Sequence, residues 1–393
     1  MKQDIYLDNS ATTKPSPEAV QAVVDYMEKI YGNPSSVHRK GLEAARAVTR
    51  AREAVADQLK VNSKQVVFTS GGTESNNLAI KGTASSYSNR GKHIITTAIE
   101  HPAVRNVCRD LAEDGFEITY LPVDEMGIIQ VSELAEALRE DTILVSIMYV
   151  NNETGSVQPL DKIAGVIKRA KKDGKLPLWH VDAVQALGRL PVLPAKMGMD
   201  LVSFSGHKVH GPKGIGALYV GTGVSLRPQI VGGGQEGDLR SGTENVPGIA
   251  GFGAAVRGLV KGEGTAAEHM ASLRKLLVEG VLNGITGCRL NGPPPGNSGA
   301  APHIANISFN GVRGEVLVHW LENEGIYAST GSACSSRKQV EHSVLKTLGL
   351  SEGEAEGALR FSFSSENTVE DVELVIRKLK EGVEELRSFA KMQ

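Results

Sequence analysis

An amine, a carboxylate, an imidazole and a thiol stand at places in this chain where packing alone does not call for them. Lys208 falls in Ser203-Phe204-Ser205-Gly206-His207-Lys208, between the apolar runs Leu201 to Phe204 and Ala217 to Val220. An amine at the end of a buried strand is partly desolvated, which lowers its pKa and enlarges the neutral fraction able to attack a carbonyl. A surface loop with solvated lysines is the plain alternative, and it suits Lys213, beside Gly214, better. Asp182 ends the run Leu178-Trp179-His180-Val181, where a carboxylate needs a cation, or backbone amides, to offset its burial. His101 precedes Pro102 after a further apolar run, a position open to a turn residue or a catalyst. Ser70-Gly71-Gly72-Thr73 joins a strand pattern to a helical one, so its N–H groups either converge on an anion or simply start the helix. The turn lacks the G-x-x-x-x-G-K-[ST] pattern, which argues against a nucleoside triphosphate.

The thiol is Cys334. Three cysteines with no C-x-x-C pair give neither a disulfide framework nor a zinc site, and no metal is expected. Cys108, inside a helical pattern, and Cys288, near a strand start, fit buried inert thiols. Cys334 sits among Ala328-Ser329-Thr330-Gly331-Ser332-Ala333 and Ser335-Ser336-Arg337, small or polar neighbours that cannot bury it. A thiol on such a loop can ionise and move, as a nucleophile must.

The elements that must position these groups read as α/β. Gln65 to Thr69, His93 to Thr97, Glu117 to Leu121, Thr142 to Tyr149, Leu178 to Val181, Leu201 to Phe204 and Ala217 to Val220 are strand patterns separated by helical ones. That alternation predicts a mostly parallel sheet with helices on both faces, whose ligands collect beyond the carboxyl ends of the strands. The turn at 70–75, His101, Asn152, Asp182, Gln185 and Lys208 all follow such strands. The glycine-rich, charged stretch Gly232 to Asn245 reads as a loop. Beyond about residue 258 the pattern changes to a small α+β unit: Ile304 to Phe309, Tyr327-Ala328 and Leu359 to Phe363 as strands, and a last helix from Val369 capped by Thr368. The expected division is a large domain over 15–258 and a small one made of 1–14 and 259–393.

Composition narrows the function. With 43 basic and 45 acidic residues the chain carries no field that would favour nucleic acid, and no direct nucleic-acid partner is expected. No run approaches 18 apolar residues and no apolar signal region follows Met1, so a cytoplasmic location without membrane attachment is expected.

The Lys208 segment resembles the lysine loop of fold-type I pyridoxal 5'-phosphate (PLP) enzymes of the class V aminotransferase superfamily. Over nearly its whole length the chain resembles cysteine desulfurases of the NifS/IscS type. The resemblance is carried by Leu7-Asp8-Asn9-Ser10-Ala11-Thr12-Thr13, Gly32-Asn33-Pro34-Ser35-Ser36, Thr69-Ser70-Gly71-Gly72-Thr73-Glu74-Ser75-Asn76-Asn77, Glu100-His101, Asn151-Asn152-Glu153, His180-Val181-Asp182-Ala183, Ser203 to Lys208, and Ser329 to Cys334. It implies a PLP cofactor attached to Lys208, with Asp182 keeping the ring nitrogen protonated and His101 stacked on the ring. It also implies that Gln185 meets the phenolic oxygen and that Gly72, Thr73, Ser205 and His207 contact the phosphate.

The same resemblance implies conversion of L-cysteine to L-alanine, Cys334 as the sulfur acceptor and His101 as acid or base. Asn152 and Arg360 would hold the substrate carboxylate. It further implies a homodimer in which Thr243 reaches the partner's phosphate, and delivery of sulfur to an iron–sulfur scaffold or thiolation carrier. Without Cys334 the same set would serve an aminotransferase or a selenocysteine lyase. The chain departs from the family pattern at Gly72, where alanine is commoner and glycine should be harmless, at Lys14, and at Gln339-Val340-Glu341-His342-Ser343.

Overall fold

A computed structural model describes residues 4–171, 176–260, 265–330 and 343–390. Strand β1 (Ile5–Tyr6) stands apart from the seven that follow: β2 (Val66–Thr69), β3 (His93–Thr97), β4 (Glu117–Leu121), β5 (Thr142–Ser146), β6 (Leu178–Asp182), β7 (Leu201–Ser205) and β8 (Gly216–Val220). Every residue of β3, β5, β6 and β7 is buried, the signature of strands covered on both faces, whereas β4 at the sheet edge is half-exposed. The seven form one sheet in the order β2-β8-β7-β6-β5-β3-β4. Its neighbours are parallel except that β8 runs antiparallel to both β2 and β7, so the expected mostly parallel sheet is present.

Helix α1 (Pro17–Glu28) starts at Ser16, whose Oγ accepts from the Ala19 N–H. It and α2 (Arg39–Leu59) pack on the helix Val246–Val260. The approach is close enough that a Cβ on Gly253 would lie 2.6 Å from Ala51 Cβ, so glycine is required there. Helices α3 (Gly72–Tyr87) and α4 (Pro102–Glu113) follow β2 and β3 directly and pack on each other.

The strand expected over Thr142 to Tyr149 stops at Ser146. The Ile147 and Tyr149 N–H groups still donate to the His180 and Asp182 carbonyls, but on the other side the Met148 N–H donates to Glu100 Oε1 at 2.8 Å. A side-chain carboxyl replaces the neighbouring strand, and the ladder ends. Tyr327-Ala328, expected as one strand, is two: β11 (Ile326–Tyr327) and β12 (Ser329–Thr330), with Ala328 between them. They serve different sheets. β11 pairs with β1, while β12 joins β13 (Ala358–Ser362), β10 (Ile304–Phe309) and β9 (Cys288–Leu290) in the order β12-β13-β10-β9.

This second sheet has its own apolar core, built from Leu273, Leu277, Ile307, Phe309, Phe361, Leu379 and neighbours, and Ile5 and Leu7 belong to it. The final helix, Val369–Ala390, begins as expected at Thr368, whose Oγ1 accepts from the Asp371 N–H while Asp371 Oδ2 accepts from the Thr368 N–H. Among the described residues no helix is long and apolar enough to cross a membrane.

Candidate active site

The strand ends of the seven-stranded sheet and one face of the smaller sheet enclose a cavity of about 590 Å³. Gly72, Thr73, His101, Asn152, Asp182, Gln185, Ser205, His207, Lys208 and Arg360 all line it. Thr243 lies elsewhere, exposed on the 232–245 loop, and Cys334 falls outside the described residues. The two remaining thiols are held neutral: burial pushes Cys108 up to about 12 and Cys288 up to about 11.

Lys208 follows β7 in a single 3-10 turn, and its Nζ donates to the Ser10 and Ala11 carbonyls at 2.6 and 2.7 Å. Both acceptors come from the N-terminal segment. The turn itself is tied down by the Arg189 guanidinium, which donates to the Lys208 carbonyl at 2.8 Å. Asp182, at the end of β6, is buried, and both its oxygens are engaged: the Asn76 amide donates to Oδ2 at 2.8 Å and the Val184 N–H to Oδ1 at 3.0 Å. The carboxylate is thereby fixed in place with its charge directed at the cavity it lines.

His101 is the N-cap of α4, and its Nδ1 accepts from the Ala103 N–H at 3.1 Å. Burial pushes its pKa down, against an opposing pull from Asp182. The ring is therefore neutral, and with Nδ1 accepting, its proton sits on Nε2. His207 is neutral too, pushed down to about 4 by burial and by the charges of Lys208 and Lys213, and its Nδ1 lies 3.2 Å from Thr12 Oγ1.

At the start of α3 no side chain caps the helix, so its positive end is left to face Ser205 and the cavity. Glycine at 72 has a local reason: a Cβ there would lie 2.8 Å from Val184 Cγ2 and 3.6 Å from Ser205 Cβ. In this chain alanine would require Val184 to move. Gln185 donates to the Ser10 carbonyl at 2.9 Å, and its Oε1 is 3.4 Å from His303 Nε2, which sets the orientation of the amide.

Arg360, from β13, brings a cation to the opposite wall. Its Nη2 donates to Asp8 Oδ1 at 2.8 Å and its Nη1 to the backbone carbonyl of Asn152 at 3.1 Å, while Nε is buried with no protein acceptor. Nearby Glu153 is pushed up to about 7 by burial, in spite of Arg360 and Arg105.

Several participants carried no assigned role in the sequence, among them Asn76, Asp8, Arg189, His303 and the carbonyls of Ser10 and Ala11. Asn76 was findable, because it falls one helical turn after Thr73 and shares its face of α3. The carbonyls were not, because a backbone acceptor leaves no mark on residue type.

Residues 5–375 match the family described as Aminotransferase class-V. The chain is 42% identical over 390 residues to Cysteine desulfurase IscS of Dictyoglomus turgidum, covering 99% of this chain and 97% of that one. It is 43% identical over 386 residues to Cysteine desulfurase IscS of Methanosarcina thermophila, with 98% and 93% covered. Among solved structures it resembles a NifS-like protein with a TM-score of 0.89 at 40% identity, covering 96% and 99% of the two chains. It also resembles SspA in complex with cysteine, with a TM-score of 0.78 at 34% identity over 93% and 100%. The chain therefore belongs to the class-V aminotransferase family, among its cysteine desulfurases, and is a PLP-dependent enzyme.

The cavity fits that cofactor on its own terms. An uncapped helix N-terminus beside a residue without Cβ can take a phosphate, a buried carboxylate held by two donors can take a protonated ring nitrogen, and an amine stands ready for a carbonyl carbon.

Proposed function

We propose that this enzyme converts L-cysteine to L-alanine and retains the sulfur as a persulfide on Cys334. The observation that carries the reading is the single cavity lined at once by Lys208, Asp182, His101 and Arg360. PLP, when bound, supplies the carbonyl carbon for attachment and the electron sink that makes the substrate Cα acidic.

The chain's own residues divide the remaining work. Asp182, oriented by Asn76 and Val184, would keep the ring nitrogen protonated, and Gly72, Thr73, Ser205 and His207 would hold the phosphate. Gln185, whose Oε1 is engaged by His303, would offer its amide N–H to the phenolic oxygen. Lys208 would hold the cofactor, and its Nζ would take the proton from the substrate Cα and later return a proton to the carbon skeleton.

Arg360, with its buried Nε still unmatched, would bind the substrate carboxylate beside the Asn152 amide. His101 would exchange a proton at Nε2 with the substrate thiol. The Cys334 thiolate would attack the substrate sulfur, forming the S–S bond as the bond from sulfur to Cβ breaks. The same reading takes the chain as a cytoplasmic homodimer with a large domain over 15–258 and a small one over 1–14 and 259–393. In it Thr243 reaches the partner's phosphate, and an iron–sulfur scaffold or thiolation carrier accepts the sulfur.

The deciding experiment separates cofactor chemistry from sulfur transfer. Cys334→Ser should still give the spectral change of cofactor exchange on adding L-cysteine, yet yield neither persulfide nor alanine at a useful rate. Cys108→Ser and Cys288→Ser should behave as the parent in both assays. Alanine formation by Cys334→Ser at the parent rate would replace this reading with an aminotransferase or lyase.

A further inference from the structure

The 232–245 loop is pinned to the edge of the large sheet by an ion pair that the proposed chemistry does not use. β2 is an edge strand, with β8 as its neighbour on one side. On the open side, the Phe68 N–H donates to Glu236 Oε2 at 2.9 Å, and the Val66 carbonyl accepts from Arg52 Nη1 at 2.6 Å. Glu236 and Arg52 also meet each other in a two-point contact, Nη1 to Oε2 at 2.5 Å and Nη2 to Oε1 at 2.8 Å. The guanidinium lies 4.7 Å from the centre of the Phe68 ring. The Glu236 side chain is 2% exposed and that of Arg52 21%, so the carboxylate is desolvated while the guanidinium keeps some contact with solvent.

The backbone at the same point is strained. Glu236, Gly237 and Asp238 have φ of 51°, 64° and 66°, three consecutive left-handed residues of which two carry a Cβ. Such a conformation persists only where surrounding contacts over-determine it. Two further contacts hold the loop, one to the same point and one to α3: the Gly242 N–H donates to Gln235 Oε1 at 2.8 Å, and Arg240 Nε donates to Glu74 Oε1 at 2.8 Å in the first turn of α3. Thr243 is exposed. It lines a surface cavity together with Phe68, Glu236 and Arg240, so the exposed threonine stands beside the buried, strained anchor and is open to a group from outside its own core.

We propose that Arg52 and Glu236 are positioning residues which fix the 232–245 loop so that Thr243 is presented to the cofactor phosphate of the second subunit. The proposal rests on the cross-subunit reading of Thr243 and adds to it the device that sets the loop's shape. The consequence is directional: loss of the latch in one subunit weakens cofactor retention in the other.

The test measures PLP release from purified holoenzyme after dilution into a cofactor scavenger, with dimer mass and thermal unfolding recorded for each variant. Glu236→Gln removes the charge and keeps the shape. Glu236→Gly removes the carboxylate and also relieves the left-handed strain, so it guards against a variant that fails to fold. Both should release PLP about tenfold faster or more, the scale of a lost charge-assisted contact, and Thr243→Ala should do the same. Glu236→Gly combined with Thr243→Ala should release no faster than Thr243→Ala alone, because the latch acts through the threonine.

In heterodimers of Glu236→Gly with Lys208→Ala subunits, the site that keeps Lys208 receives an unaltered loop and should release PLP at the parent rate. Fast release from that site, or effects of the two changes that multiply, would overturn the proposal. Parent-like release by Glu236→Gly beside fast release by Thr243→Ala would overturn the latch and leave the cross-subunit contact standing. Parent-like release by Thr243→Ala would overturn both.

Discussion

The two walls of the cavity are built on different principles. The wall from the large sheet consists of side chains at successive strand ends, each within a segment whose burial pattern dictates its conformation. The facing wall is assembled from parts far apart in sequence: Asp8 and the Ser10 and Ala11 carbonyls from the N-terminal segment, and Arg360 from β13. The first wall carries the groups that the proposed reading gives to the cofactor, and the second adds a cation together with the carbonyls that receive Lys208. In that reading the cofactor is held chiefly by one sheet, and the cation for the substrate carboxylate comes from the other.

Lys208→Ala gives the largest effect expected from the first wall. It should abolish the cofactor's characteristic absorbance and lower turnover by at least about 10³-fold, since a positioned acid–base group alone contributes about 10²–10⁴. Absorbance spectra and alanine formation check this, with circular dichroism confirming the fold. Retained turnover would break the division between the walls at its root.

Arg360→Lys probes the second wall. It keeps the charge and loses the two-point geometry, so KM for L-cysteine should rise about 10- to 100-fold, the cost of a charged hydrogen bond, while cofactor affinity stays near that of the parent. Steady-state kinetics beside a PLP titration would show the split. A fall in cofactor affinity equal to the rise in KM would mean that the walls are not functionally separate.

The smallest effect concerns Glu100, whose pKa burial pushes up to about 8 despite donors from Met148 and Thr97. The unfolded chain loses this proton near 4.5, so between about pH 4.5 and 8 the folded state binds more protons and stability declines as pH rises. Glu100→Gln keeps the shape without the proton. Its unfolding temperature relative to the parent should climb across that window and level off above it. A pH-independent difference would show that Glu100 is not held neutral in the fold.

The sequence already spoke for the first wall and largely not for the second. Periodicity located the strands, and a polar residue after a buried strand is conspicuous, so Asp182 and Lys208 were visible. Arg360 lies inside a buried strand, and only the family resemblance pointed to it. Asp8, its partner 352 residues away, gave no local signal at all. The early end of β5 was hidden for a similar reason, since it depends on Glu100 reaching across to Met148. The glycine at 72 looked neutral until the structure placed Val184 against it.

The strip from Leu7 to Thr13 also sets an order of assembly. Its Ser10 N–H and Asn9 amide donate to Ser362, and the Ser362 N–H donates back to the Leu7 carbonyl at 2.7 Å, while the Ser10 and Ala11 carbonyls receive Lys208. The ribosome releases that strip before Ser362, by on the order of tens of seconds at ordinary elongation rates. The seven strands of the large sheet are complete by Val220, and Gln185 and the His207 carbonyl can already hold Ser10 and Thr13, but the Leu7 to Ser10 end of the strip has no Ser362 to meet, and the cavity no Arg360, until β13 is made. A nascent chain can thus shape most of a cofactor cradle long before it owns a finished active site.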